Sequence, residues 1–316
     1  MRALVFNRKL EFRGDYPDPV AAPGESVVRV TLAGVCGTDL EIARGYMQYR
    51  GVPGHEFAGR VVESRNPSLR GKRVVGEINV GCGRCATCSA SDARHCPNRT
   101  VLGILGRDGA FAEFLRLPDI NLIPLPDSIP DDVAVFVEPL AAAYEIFEQV
   151  HLARNQTIVV LGDGRLGALV ALTLKSEKYL PIVAGHHREK LARLAHLGLD
   201  TTEESSLRDK FDVVIECSGS ESGIRRAVEL VRPRGTIILK STAAAAAELN
   251  LAPIVVNEIT VVGSRCGRFQ PALDALAASK IEPRPLIDGS FALEDGIAAF
   301  EAATNPLNFK ILLRAP

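Results

Sequence analysis

From Ala3 to about Leu122 the apolar positions come in short runs cut by glycine and proline. Residues 27–32 alternate in part, and residues 59–63 and 72–76 are rich in β-branched side chains. That pattern predicts a mainly-β half of short strands and tight turns. From about Glu138 to Ser264 the period changes. Apolar runs at 157–161, 180–184, 211–217, 235–239 and 259–263 alternate with stretches of helical spacing, among them 168–178 and 190–195. Runs apolar on both faces, separated by helices, predict a doubly wound parallel sheet. The tail offers helices near 271–279 and 293–303 and a last strand at 309–313. The expectation is an α/β protein of two domains, one formed by residues 1–138 with 265–316 and the other by residues 139–264.

Composition bounds the function. At 316 residues, 47% hydrophobic and 24% charged, the chain suits two ordinary globular cores. A net charge of −1 without like-charge runs gives no reason to expect nucleic acid or a membrane surface as partner. A small-molecule partner is expected instead. The short apolar run at the N-terminus is not a signal-peptide core, and no segment approaches a membrane span. The run of alanines at 243–247 is too short to carry a compositional argument. Seven cysteines, an odd number, fit metal binding in a reducing, cytoplasmic compartment better than a disulfide framework.

Four of these cysteines, Cys82, Cys85, Cys88 and Cys96, fall on one compact loop in which Gly81 and Gly83 permit tight turning. Zinc favours tetrahedral thiolate coordination, and four protein thiolates leave no open position, so this zinc is expected to be structural. Merely buried or paired cysteines and an iron–sulfur cluster both rank below zinc.

Upstream stand Cys36, Thr38 and Asp39, then His55 and Glu56. A zinc site for hydride transfer needs N, S and O donors plus one open position. Cys36 and His55 supply two donors, and Glu56 or Glu138 the third. Each is weak alone, since a buried cysteine or a satisfied histidine is the commoner outcome, and Thr38 and Asp39 also suit a polar turn or helix cap.

Residues 157–161 run directly into Gly162, Gly164 and Gly167, with Arg165 and Leu166 between the last two, and then into a helical stretch. Between a strand and a helix this spacing predicts a dinucleotide site. Gly162 makes the sharp turn, Gly164 admits the pyrophosphate, and Gly167 lets the helix pack on the strand. At the end of the second strand, where an acid commonly receives the ribose hydroxyls of NAD, stand His186, His187 and Arg188. Arginine is well shaped for a 2′-phosphate, which favours NADP slightly over NAD, although Glu189 is close and a basic residue there also suits a helix end.

Taken in order, these motifs, with residues 109–113 and Glu138-Pro139-Leu140, resemble the medium-chain zinc-dependent alcohol dehydrogenase superfamily over almost the whole chain. Glu138-Pro139-Leu140 looks like the threonine and polyol dehydrogenase branch. The resemblance implies a GroES-like catalytic domain beside a Rossmann domain, two zinc ions per chain, and a homo-oligomer, dimer or tetramer. It implies that Cys36, His55 and Glu138 hold the catalytic zinc with Glu56 adjacent, that Asp39 orients His55, and that Thr38 passes the substrate's hydroxyl proton outward. Many members have a histidine where this chain has Glu41, which is either a base or a solvated surface charge.

The function expected is zinc-dependent hydride transfer between NAD(P) and a small alcohol, polyol, sugar or amino alcohol, or the matching carbonyl. Two alternatives remain on fold grounds: a zinc-free quinone-type reductase, and a catalytically silent NAD(P)-binding redox sensor. The loops at residues 46–50 and 103–107 mix aromatic and basic side chains, which leaves the substrate itself open.

Overall fold

A computed structural model describes residues 1–241 and 249–316, so the alanine run at 243–247 lies outside the described residues. The chain divides into two compact units, Met1–Glu138 with Glu282–Pro316, and Pro139–Ile281.

The first unit opens with an antiparallel hairpin, β1 (Ala3–Asn7) and β2 (Lys9–Arg13). The long strand β3 (Glu25–Gly34) follows, its Val28 and Val30 buried. Then come α1 (Gly37–Ala43), β4 (Glu56–Glu63) and β5 (Arg73–Gly76). A small cysteine-bearing lobe contains β6 (Asn79–Val80), α2 (Ala86–Ser89), β7 (Thr100–Leu102) and β8 (Gly106–Arg107). After it come β9 (Phe114–Pro118), β10 (Leu122–Pro124) and α3 (Asp131–Ala134).

The second unit opens at Pro139 within α4 (Val137–Gln149), whose first two residues end the first unit, and its first strand is β11 (Ile158–Leu161), in which every side chain is buried, as a strand covered on both faces requires. It continues through α5 (Arg165–Ser176), β12 (Pro181–Gly185), α6 (Arg188–His196), β13 (Asp200–Glu203), β14 (Phe211–Glu216), α7 (Glu221–Leu230), β15 (Val231–Leu239), α8 (Ala252–Val256), β16 (Thr260–Gly263) and α9 (Phe269–Ala277). The strands form one wholly parallel sheet in the order β13-β12-β11-β14-β15-β16. The order reverses between β11 and β14, and such a switch point is where open α/β sheets bind ligands. Val159, Leu161, Val214, Ile237 and Leu230 pack in one core cluster.

The chain then adds β17 (Ile287–Ala292), α10 (Gly296–Thr304) and β18 (Lys310–Arg314) to the first unit. Its main sheet runs β10-β5-β4-β3-β18-β17, with β9 also on β3, and every pair is antiparallel except β17 and β18.

Two features differ from the sequence reading. β13 was not expected, because Asp-Thr-Thr-Glu is polar; it is an edge strand with little to bury. Residues 265–281 belong to the second unit, whereas the sequence placed them with the first. Gly267 packs so closely on Ala141 that a Cβ there would stand 2.9 Å from its carbonyl carbon, and Arg268 pairs with Glu148 at 2.7 Å on α4.

Candidate active site and cofactor site

Cys36 follows β3 and His55 precedes β4, and the antiparallel register of those strands sets Gly34 opposite Glu56. Neighbouring strand ends therefore bring Cys36, His55 and Glu56 together, and one ligand atom from each lies within 4.8 Å of the others. Glu138, in the first turn of α4, stands outside that group. It lies within electrostatic reach of it. Burial pushes its carboxyl up to about 7, against the pull of His55 and with the carboxylates of Glu56 and Glu77 adding to the rise.

Asp39 lies in the first turn of α1. Fully buried, it accepts the Cys36 N–H at 2.8 Å as a helix-start acceptor and the Gly54 N–H at 3.1 Å. Its Oδ1 lies 3.4 Å from His55 Nδ1, near enough to orient the ring, yet off the hydrogen-bond line, so that Nδ1 has no hydrogen-bond partner. Burial disfavours a charged His55, but Asp39 and Cys36 outweigh it and hold the ring's pKa well above its usual value. A buried imidazole set between a thiol and a carboxylate suits a cation between its ring and Cys36, with the carboxylate behind. The donor set, S, N and O in a buried site, fits zinc.

Thr38 is half-buried, its hydroxyl 3.9 Å from the Cys36 sulfur. Glu41 forms an ion pair with Arg44 at 2.7 Å, which places it on the surface side of α1.

Sequence reasoning missed Lys310. It is 1% exposed on β18, and its Nζ is ion-paired to Glu56 Oε2, also 1% exposed, and sits 5.6 Å from the centre of the Phe136 ring. Gly34 makes room, since a Cβ there would be 2.7 Å from Glu56 Oε2. The signal was a lone lysine inside the apolar run 309–313. Glu56, read as a ligand able to exchange, is thus held by a cation of the protein's own.

In the small lobe, one sulfur from each of Cys82, Cys85, Cys88 and Cys96 lies within 4.8 Å of the rest, and all seven cysteines are free thiols. Cys85 Sγ and Cys96 Sγ are 3.7 Å apart. Four thiolates about 2.3 Å from a zinc ion have S–S edges of about 3.8 Å, so the cluster fits the metal. The Arg84 N–H lowers Cys82 to about 6, and the Cys88 N–H lowers Cys85. Removal from water raises Cys88 to about 11.

In the second unit, Gly162 turns the chain at φ 113°, and a Cβ there would stand 2.8 Å from the Cys217 carbonyl carbon at the end of β14. Gly167 is buried in α5, where any Cβ would collide with the Gly162 carbonyl. Gly164 is the N-cap of α5, and a Cβ on it would meet nothing within 4 Å, which leaves room for a phosphate at the helix start. Arg165 and Leu166 open that first turn half-buried. The turn fits the pyrophosphate of a dinucleotide.

Each basic residue after β12 carries an acid. His186 pairs with Glu204 at 3.1 Å, His187 with Asp163 at 3.0 Å and Arg188 with Glu203 at 2.5 Å. Arg188 remains 83% exposed, so its pair with Glu203 is open to exchange.

Residues 22–127 match the model of the alcohol dehydrogenase GroES-like domain, and residues 166–279 that of zinc-binding dehydrogenase. The starvation-sensing protein RspB of Escherichia coli K12 is 30% identical over 306 residues, covering 90% of each chain. The chain belongs to the medium-chain zinc-type alcohol dehydrogenase superfamily. The sorbitol dehydrogenase of Halalkalibacterium halodurans is 29% identical over 94% of this chain and 93% of its own length. The structure of the alcohol dehydrogenase rspB from E. coli CFT073, solved with NADH, superposes with a TM-score of 0.89 at 27% identity over 99% of each chain. As a member of this superfamily the protein is an NAD(P)-linked oxidoreductase, built from a GroES-like unit and a Rossmann unit. Among the described residues no helix is long and apolar enough to cross a membrane.

Proposed function

We propose that the protein is a zinc-dependent dehydrogenase that transfers hydride between NAD(P) and the carbinol carbon of a small polyol, sugar derivative or amino alcohol, or reduces the matching carbonyl. The observation that carries this reading is the group of half-buried Cys36 with buried His55 and Glu56, with Asp39 behind the His55 ring. Zinc bound there supplies Lewis acidity, which brings the pKa of an alcohol oxygen toward neutrality.

Cys36 and His55 are the fixed ligands in this reading. Glu138 takes the third place while Lys310 holds Glu56, and Glu56 enters only by leaving that lysine. Asp39, its carboxylate 3.4 Å from Nδ1, orients the His55 ring through its charge. The Thr38 hydroxyl, beside Cys36, receives the substrate's hydroxyl proton, and Glu41 is a solvated surface charge paired with Arg44. Cys82, Cys85, Cys88 and Cys96 hold a second, closed zinc that stabilises their lobe. Gly162, Gly164, Arg165, Leu166 and Gly167 receive the pyrophosphate. His186, His187 and Arg188 face the adenosine ribose, with NADP favoured slightly because Arg188 can exchange Glu203 for a 2′-phosphate.

The reading includes a homo-oligomer in a cytoplasmic, reducing setting. Leu251, Val255 and Val256 are exposed on α8, and Val261 on the sheet-edge strand β16, an apolar surface that self-association would cover.

The test is a panel of polyols, sugar alcohols and amino alcohols, run with both cofactors on metal-replete protein and followed at the nicotinamide absorbance, with zinc counted by elemental analysis. Turnover with two zinc ions per chain is expected. Cofactor binding without turnover on any substrate would favour a redox sensor, and turnover unaffected by metal removal would favour a zinc-free reductase.

A further inference from the structure

The acid that commonly ends the second strand of a dinucleotide sheet is missing from residues 185–188, yet a carboxylate occupies that place from elsewhere in the chain. Asp163, inside the glycine turn, is 6% exposed. Its Oδ2 accepts the His186 N–H at 2.8 Å and the His187 N–H at 2.7 Å, and its Oδ1 lies 3.0 Å from His187 Nδ1. An aspartate in a turn usually bonds two or three residues ahead. This one reaches across to the next strand. Gly185 permits the approach, because a Cβ there would lie 2.5 Å from Asp163 Cγ.

We propose that Asp163 is a tethered anion that sets the choice between NAD and NADP: it occupies the backbone N–H groups of His186 and His187, in the turn that leads into α6, on which a 2′-phosphate would otherwise draw, and places a fixed negative charge beside them. The proposal rests on the reading that residues 186–188 meet the adenosine ribose, and it assigns the opposing force to Arg188.

Two physical effects act in the same direction. Successive backbone N–H groups in a turn leading into a helix favour anions, and here those of His186 and His187 are already satisfied by a carboxylate that cannot leave. A buried charge is also poorly screened, so it repels a dianion far more than it repels a neutral ribose hydroxyl. His187 and Lys190 lie close enough to help keep Asp163 ionised, although burial opposes it. The balance between cofactors is then a difference of two terms, attraction by exposed Arg188 and repulsion by buried Asp163, and selectivity achieved by repulsion is as effective as selectivity by contact. It also gives the site a measurable asymmetry. Removing the Asp163 charge should favour only the phosphorylated cofactor, whereas damage to the turn would weaken both.

The experiment measures dissociation constants for NADH and NADPH by nicotinamide fluorescence on the full, zinc-replete chain, for wild type, Asp163→Asn and Arg188→Ala. Asn keeps a carbonyl oxygen for the two N–H groups while removing the charge; Asp163→Ser serves if Asn prevents folding. The ratio Kd(NADPH)/Kd(NADH) should fall roughly five- to twentyfold in the Asp163 variant, with NADH little changed. A ratio within twofold of wild type, or equal weakening of both cofactors, overturns the proposal. Arg188→Ala judges the underlying reading separately. If it weakens NADPH alone while the Asp163 variant leaves the ratio unmoved, the ribose reading stands and the role of Asp163 falls; if Arg188→Ala leaves the ratio untouched, the ribose reading falls with it.

Discussion

Replacing Lys310 by methionine tests how the metal site is framed. Lys310 and Glu56 are each 1% exposed and ion-paired, so solvent screens neither charge. Removing one partner of such a pair leaves the other buried and unpaired, at a cost of about 3–5 kcal/mol. Replacing both by uncharged groups of similar size is often neutral. Lys310→Met should therefore lower the melting temperature by roughly 6–20 °C, at about 2–4 °C per kcal/mol for a unit of this size. Glu56→Gln should be destabilising by a comparable amount, and the double variant should recover most of the loss. Urea midpoints at fixed pH and zinc content, with far-ultraviolet circular dichroism as the probe, measure all four corners of the cycle. A loss below about 1 kcal/mol in Lys310→Met, or strict additivity in the double variant, would refute the argument that the pair is dry and mutually dependent.

The two metal sites should separate by mutation. His55→Ala should lower turnover at least a thousandfold, on the order of 4 kcal/mol of barrier, while cofactor affinity persists; Cys88→Ser should remove one zinc and lower thermal stability with cofactor binding intact. Elemental analysis beside calorimetry checks both, and damage confined to folding in each case would defeat the division into open and closed sites. Glu138→Ala should lower retention of the first zinc under mild chelation or turnover far more than it shifts melting, and an unchanged rate with full occupancy would remove Glu138 from the site. Asp212 accepts the Thr157 N–H at 2.7 Å and pairs with Arg232, which together hold its carboxyl below the usual range. A depressed folded pKa stabilises above the unfolded value, so the stability gap between wild type and Asp212→Asn should be constant above about pH 4 and shrink as pH falls further, as urea midpoints across that range would show.

The parallel sheet was legible because β11 is buried throughout and the centres of β14 and β15, Val213 to Ile215 and Ile237 to Ile238, are buried apolar runs. The four-cysteine lobe was legible because its ligands are close in sequence. What escaped notice shares one physical cause: its partners lie far apart along the chain. Lys310 meets Glu56 through β18, Asp163 meets His187 across two strands, and α9 stays with the second unit through Gly267 and Arg268. Local pattern has no access to such pairings, and a lysine in an apolar run or an aspartate between glycines is ambiguous until its neighbour is known. β13 escaped for the opposite reason, since a polar edge strand has no apolar pattern to read.

The place of β18 has a bearing on how the molecule is born. It lies between β3 and β17 in the first unit's main sheet, yet it follows the whole of the second unit along the chain. On a ribosome, Cys36, His55 and Glu56 emerge early, while the strand that closes their sheet emerges late. The second unit, contiguous in sequence, can finish folding in the interval. The first unit's main sheet therefore cannot be completed, nor Glu56 paired with Lys310, until the residues of the second unit have been made.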